Sequence, residues 1–124
     1  MRFLVIDDSA VDRKLLTFFL EAMGHQVDRV ETTAGSLEQI ANNDYTCVFL
    51  DIVMPQEDGY KFLRNLRINR ATAKQHVVFC SSKKSKLEIN YGIQRGGADD
   101  YLIKPVTREN LTKILEKLPA TSQA

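Results

Sequence analysis

Four places in this 124-residue chain set an ionisable or hydroxyl side chain directly after a short apolar run. Asp7 and Asp8 follow FLVI, Asp51 follows CVFL, Ser81 and Ser82 follow FC, and Lys104 with Pro105 follows YLI. Each is ordinary alone, because an acid after a strand commonly opens a helix and a terminal lysine is commonly solvated. Together they are an acidic cluster, a hydroxyl and a cation that one edge of a sheet can gather. Three carboxylates held close repel one another and titrate upward unless a cation joins them. All-oxygen donors suit a hard divalent ion, and Mg2+ favours sites that also take phosphate oxygens and retained water. A carboxylate can also act as a nucleophile and become an acyl phosphate. An ammonium and a hydroxyl nearby then receive the phosphoryl oxygens. On this reading Asp7, Asp8 and Asp51 hold metal, Asp51 is the phosphoacceptor, Lys104 is its charge partner, and Ser81 or Ser82 donates the hydrogen bond.

The intervening residues must bring those ends together. Short apolar runs at 3–6, 26–30, 47–50, 77–80 and 101–103 read as strands. Between them the apolar period becomes helical. Val11, Leu15, Phe18, Phe19 and Met23 mark a first helix, with Val11, Leu15 and Phe19 expected in the core. Leu37, Ile40 and Ala41 mark a weaker second, and Tyr60, Leu63 and Leu66 a third. Residues 87–93 support a fourth, closed by Gly96 and Gly97, and Leu111, Ile114, Leu115 and Leu118 a fifth. Residues 69–75 are polar and read as a loop. Five strand–helix units predict an α/β fold, a doubly wound five-stranded parallel sheet with helices on both faces. The third strand, almost unbroken in apolarity, suits a central position covered on both sides. In such a sheet ligands bind outside the carboxyl ends of the strands. A single domain over 1–119 is expected, with a flexible tail at 120–124.

Bulk composition narrows the classes. With 17 basic and 16 acidic side chains, net charge is +1. That gives no overall electrostatic case for nucleic-acid or membrane binding. No apolar run approaches the roughly 18–20 residues a bilayer requires, and MRFLVIDDSA lacks the parts of a signal peptide. A cytoplasmic protein is expected. Cys47 and Cys80 each fall in a predicted strand and read as small core residues, since a redox pair needs proximity. His25 and His76 form no metal-binding pattern with each other or with the acids.

VIDDS at 5–9, LDIVMPQEDG at 50–59, VVFCSS at 77–82 and GGADDYLIKP at 96–105 together resemble a response-regulator receiver domain of the stand-alone, chemotaxis-regulator type. The resemblance covers almost the whole chain. It implies the flavodoxin-like strand order 2-1-3-4-5 and phosphorylation of Asp51 by a sensor histidine kinase or a phosphotransfer protein. Mg2+ is the implied cofactor, with Mn2+ as a substitute. It further implies that the Val53 backbone carbonyl is an additional metal ligand, and that Lys104 and Pro105 are the family's lysine and following proline. Tyr101 matches the aromatic switch that turns inward on activation. Signalling would then run through an unidentified downstream protein at the face of the fourth helix, fifth strand and fifth helix. No nucleic acid or membrane is implied, and the protein would be a monomer or a weak phosphorylation-dependent dimer.

Some positions depart from a simple match. Ser82 has the family's usual spacing back from Lys104. Ser81, however, leaves a small residue next in the chain, whereas Ser82 leaves the bulky Lys83. Steric access favours Ser81, with one extra residue accommodated around the fourth helix. Whether the bond between Lys104 and Pro105 is cis or trans stays open. Lys83, Lys84 and Lys86 crowd the start of the fourth helix, where the dipole disfavours cations. They read as a solvated face, or with Lys83 approaching the phosphoryl group. Val53, two residues past Asp51, cannot orient water, which predicts slow loss of phosphate.

Two other functions compete with this reading. A phosphatase or mutase with an aspartyl nucleophile needs an acid where Val53 stands. A docking module with a receiver fold would work without phosphorylation, yet this chain keeps every charged member. With no further domain expected after Leu118, output would be protein contact or service as a phosphate sink.

Overall fold

Alternation of side chains along each strand sends successive residues to opposite faces of a sheet, and here both faces are covered. The structure, a computed structural model, describes residues 1–55 and 57–118. The tail expected at 120–124 lies outside the described residues. Strands β1 (Arg2–Ile6), β2 (Gln26–Val30), β3 (Cys47–Asp51), β4 (Val77–Ser81) and β5 (Asp100–Ile103) pair in parallel in the order β2-β1-β3-β4-β5. This is the doubly wound, flavodoxin-like 2-1-3-4-5 sheet expected from the sequence. Every residue of β3 and of β4 is buried, as central strands require.

Helices α1 (Ala10–Ala22) and α5 (Arg108–Glu116) pack on one face. Their Leu16, Leu20, Leu111 and Ile114 meet Phe3, Val5, Phe49, Val78 and Leu102. On the other face lie α2 (Ser36–Ala41), α3 (Gly59–Ile68) and α4 (Lys86–Asn90). There Ile40, Leu63 and Leu66 meet Leu4, Ile6, Leu50 and Phe79, with Ile89 packed alongside. Each fully buried Leu or Phe contributes roughly 1.5–3 kcal/mol. Hydroxyl and carboxylate caps start the helices soon after the strands end. Ser9 Oγ accepts from Asp12 N at 3.2 Å, Asp58 accepts from Tyr60 N at 2.9 Å, and Thr107 with Asn110 forms a reciprocal capping box.

Two details differ from the sequence reading. Val11 and Phe18 are 75% and 64% exposed, and Leu15 and Phe19 are only half-buried. The inward face of α1 is Leu16, Thr17 and Leu20 instead. Two apolar stripes compete on this helix, and Arg13, whose Nη1 donates to the Asp7 carbonyl at 2.7 Å, accompanies the second one inward. The fourth helix is also not regular, because a π turn, Tyr91–Arg95, continues it. The ring of Tyr60 on α3 packs edge-on against Phe79 and Tyr91.

Candidate functional site

The carboxyl ends of β1, β3, β4 and β5 converge on one cleft of about 560 Å³, lined by Asp8, Asp12, Asp51, Val53, Ser81 and Lys104 among others. A larger hollow of about 930 Å³ lies near Tyr45 and Arg70, between the segments preceding β3 and β4. It stands at the amino ends of the strands, away from the acidic cluster, and it is the smaller cleft that gathers the chemistry. The parallel register sets Ile6 beside Leu50 and Asp51 beside Cys80, so the residues that follow each pairing arrive at the same edge.

Asp7, Asp8 and Asp51 each offer a carboxylate oxygen, and these atoms lie within 4.8 Å of one another. Asp7 and Asp51 are buried while Asp8 is exposed. Lys104 Nζ stands among the acids, 2.9 Å from Asp7 Oδ2, 3.1 Å from Asp12 Oδ2 and 3.3 Å from Asp51 Oδ1. Its backbone N–H donates to the Ser81 carbonyl at 2.8 Å, which ties the lysine to the end of β4. The bond between Lys104 and Pro105 is cis. Burial first, and the charge of Asp7 second, push the Asp51 carboxyl up to about 7 despite the opposing ammonium of Lys104. Burial depresses Lys104, but its hydrogen bond and charge interaction with Asp7, helped by Asp51 and Asp12, more than offset this and hold it above its ordinary value. One ammonium thus leaves Asp51 with an electrostatic deficit that a further cation would relieve.

The donor set fits a hard divalent ion. It is all oxygen, preassembled, and open on the Asp8 side. The stretch after Asp51 adds one more acceptor. Val53–Met54 and Glu57–Asp58 form a short antiparallel ribbon, with Val53 opposite Asp58 and Met54 opposite Glu57. Gly59 N donates to the Ile52 carbonyl at 2.9 Å. Val53 and Asp58 are therefore the non-hydrogen-bonded pair, and the ribbon does not use the Val53 carbonyl.

The hydroxyl candidates separate by burial. Ser81 is 4% exposed and its Oγ accepts from Lys83 N at 3.1 Å, whereas Ser82 is exposed on the cleft rim. In the π turn the Gly96 N–H reaches back five residues to the Tyr91 carbonyl at 2.9 Å, one residue more than an α turn holds. A side chain at Gly96 would meet the Gly92 carbonyl at 2.6 Å, so the turn closes only over glycine. Tyr101 points inward, buried, and its hydroxyl donates to the Lys83 carbonyl at 2.8 Å. Lys83 borders the cleft, but its Nζ lies 3.7 Å from Glu88 and not in the acidic cluster.

Asp12 was not anticipated. It contacts Lys104 as closely as Asp51 does, and its only sequence signal is an acid in the first turn of α1, a position the helix dipole alone explains.

A doubly wound α/β domain with an aspartate cluster and a lysine at the carboxyl edge is the architecture of a phosphoryl-accepting signalling module. Residues 3–116 match the model of the response regulator receiver domain, and the chain belongs to that family. Domains of this class serve two-component phosphorelays, carrying a phosphoryl group on themselves and not turning over a substrate. Protein PilH of Pseudomonas aeruginosa is 34% identical over 119 residues, 96% of this chain and 98% of that one. The chain spans about half, 48–50%, of several transcriptional regulators that it also matches. Among solved structures, chemotaxis protein CheY4 of Vibrio cholerae superposes with a TM-score of 0.84 at 22% identity, over 95% of this chain and 98% of that one. The receiver domain of sensor histidine kinase PA1611 from Pseudomonas aeruginosa, solved with a magnesium ion in its active-site cleft, gives 0.82 at 21%, over 94% and 95%. Among the described residues, no helix is long and apolar enough to cross a membrane.

Proposed function

We propose that Asp51 accepts a phosphoryl group from a sensor histidine kinase or a phosphotransfer protein, in a receiver domain occupying residues 1–119, and that the phosphate is read by another protein. The observation that carries this is Lys104 Nζ within 3.3 Å of Asp51 and 2.9 Å of Asp7, inside a three-carboxylate cluster. An Asp51 carboxylate oxygen attacks phosphorus, the bond from phosphorus to the donor's imidazole nitrogen breaks, and the nitrogen keeps the electron pair. The product is an acyl phosphate on Asp51. Asp7, Asp8, Asp51 and the Val53 carbonyl would hold Mg2+, or Mn2+ in its place, which when bound supplies positive charge for the phosphoryl oxygens. Lys104 keeps its ammonium beside the same oxygens, and burial of the cluster strengthens that attraction.

Ser81 is the switch hydroxyl of this reading. Its burial at the end of β4 and the residue taken up by the π turn both favour it over Ser82. Phosphorylation adds about two negative charges and strong acceptors, which draw the Ser81 hydroxyl from its place at Lys83 N. Tyr101 is bonded to the Lys83 carbonyl, so both switch residues share one backbone segment. Release of that segment shifts the population of α4 against β5 and α5, where the downstream partner would dock. Pro105 holds the chain beyond Lys104, and the exposed Lys83 is free to leave Glu88 for the phosphate.

Mixing the protein with a small-molecule phosphodonor and Mg2+ should add the mass of one phosphoryl group, and Asp51→Asn should abolish the gain. Unchanged labelling of Asp51→Asn, or labelling that is indifferent to Mg2+ and chelator, would overturn the assignment.

A further inference from the structure

Among the described residues, the Glu57 side chain ties the backbone that carries Val53 to the neighbouring loop. We propose that Glu57 is a positioning residue for the cation site, a latch that fixes the Val53 carbonyl by tying the β3–α3 segment to the β2–α2 loop. This rests on the metal reading above.

A ribbon of two-residue strands is marginal by itself, and Val53 is 64% exposed, so its own side chain anchors little. Met54 holds the ribbon from the core side, 5% exposed. Glu57 stands directly opposite Met54 and turns its carboxylate to the neighbouring loop. There Thr33 N donates to Oε1 at 3.0 Å and to Oε2 at 3.1 Å, and Thr32 Oγ1 donates to Oε1 at 3.0 Å. The Thr33 hydroxyl donates to Oε1 as well. The receiving loop is itself fixed. Ala34 N donates to Thr32 Oγ1 at 3.1 Å, and Ser36, wholly buried, donates its hydroxyl to the Thr32 carbonyl at 3.3 Å.

These bonds close a circuit around the cleft. Asp7 N donates to the Val30 carbonyl at 3.1 Å, joining the first acid to the end of β2. Two residues on, Thr32 and Thr33 grip Glu57, and Glu57 is paired to the residue after Val53. The first acidic ligand and the candidate carbonyl ligand are thus joined by one path of backbone and hydrogen bonds along the edge of the cleft. Contacts that orient metal ligands in this way are typically worth about 10–100-fold in affinity.

The test is a Mg2+ titration followed by backbone amide resonances, on wild type, Glu57→Ala, Glu57→Gln and Thr33→Val, with melting in chelator measured in parallel. Glu57→Ala should bind Mg2+ about 10-fold more weakly while its chelator melting stays close to wild type. Glu57→Gln keeps a side-chain acceptor and should stay within about 3-fold. Equal losses in Ala and Gln would mean that Glu57 acts through charge at a distance and would overturn the latch. Wild-type affinity in Glu57→Ala would overturn it too. If Glu57→Ala does not fold, Thr33→Val serves in its place, with weaker Mg2+ binding expected and unchanged affinity counting against the latch. Failure of wild type to bind Mg2+ would overturn both the metal reading and the latch, whereas a normal wild type beside a normal Glu57→Ala removes the latch alone.

Discussion

Asp51 is the residue in which the tension of the site is concentrated. Its carboxyl is pushed from an ordinary 3.8 to about 7 by burial and by Asp7, because the ammonium of Lys104 is shared with Asp7 and Asp12. A folded pKa above the unfolded one means that the folded state holds the proton longer. Stability therefore falls as pH rises from about 4 to about 7 and levels off above that window. In chelator, Asp51→Asn should melt higher than wild type at pH 8, and by a larger margin than at pH 5. Mg2+ should raise wild-type melting more at pH 8 than at pH 5, since it binds the carboxylate form. A margin that stays constant or shrinks toward alkaline pH would contradict this account of the cluster. The acids and Lys104 were legible in the sequence because each follows an apolar run. Asp12 was not, since its alignment with Lys104 depends on how α1 is rotated above the sheet.

At the level of elements, the end of β3 is fixed by how closely α3 begins. A side chain at Gly59 would lie 2.6 Å from the Asp51 carbonyl oxygen and 2.8 Å from Ile52 Cα, both backbone atoms. Gly59→Ala must displace the strand end that carries Asp51. We expect a loss of about 1–3 kcal/mol, the usual cost of overpacking, together with slower phosphorylation of Asp51, read by denaturant melts and by the rate of mass gain. Wild-type stability and rate would show that the segment shifts freely. The five strands and their alternation with helices could be read from apolar runs, because a strand buried on both faces admits little else. The π turn could not. It depends on Gly96 closing over the Gly92 carbonyl, a backbone contact that apolar spacing does not register.

For the molecule as a whole, the sheet divides two apolar layers, and the cysteines lie in the one beneath α1 and α5. The register sets Cys80 beside Asp51, four residues along from Cys47, so their backbones stand about 13 Å apart along the strand direction, beyond the roughly 7 Å between Cα atoms that a disulfide spans, and both thiols are free. Burial raises both thiols above their ordinary range. Both should react with a thiol reagent only as fast as the whole sheet opens, and at a common rate, while unfolded protein labels at once. Rapid native labelling of either would mean that this layer opens locally. Sequence alone determined the alternation of strands and helices, the edge where chemistry collects, and Asp7, Asp8, Asp51 and Lys104 as residues that gather there. Apolar periodicity and the charge of a residue after a strand are local properties, and a parallel sheet converts them into position. Only the tertiary structure decided which stripe of α1 faces inward, that Asp12 shares Lys104, that Ser81 is buried and Ser82 is not, and that Glu57 grips Thr32 and Thr33. Those outcomes depend on helix rotation and loop approach, which arise when separate segments pack and are written in no single stretch of chain.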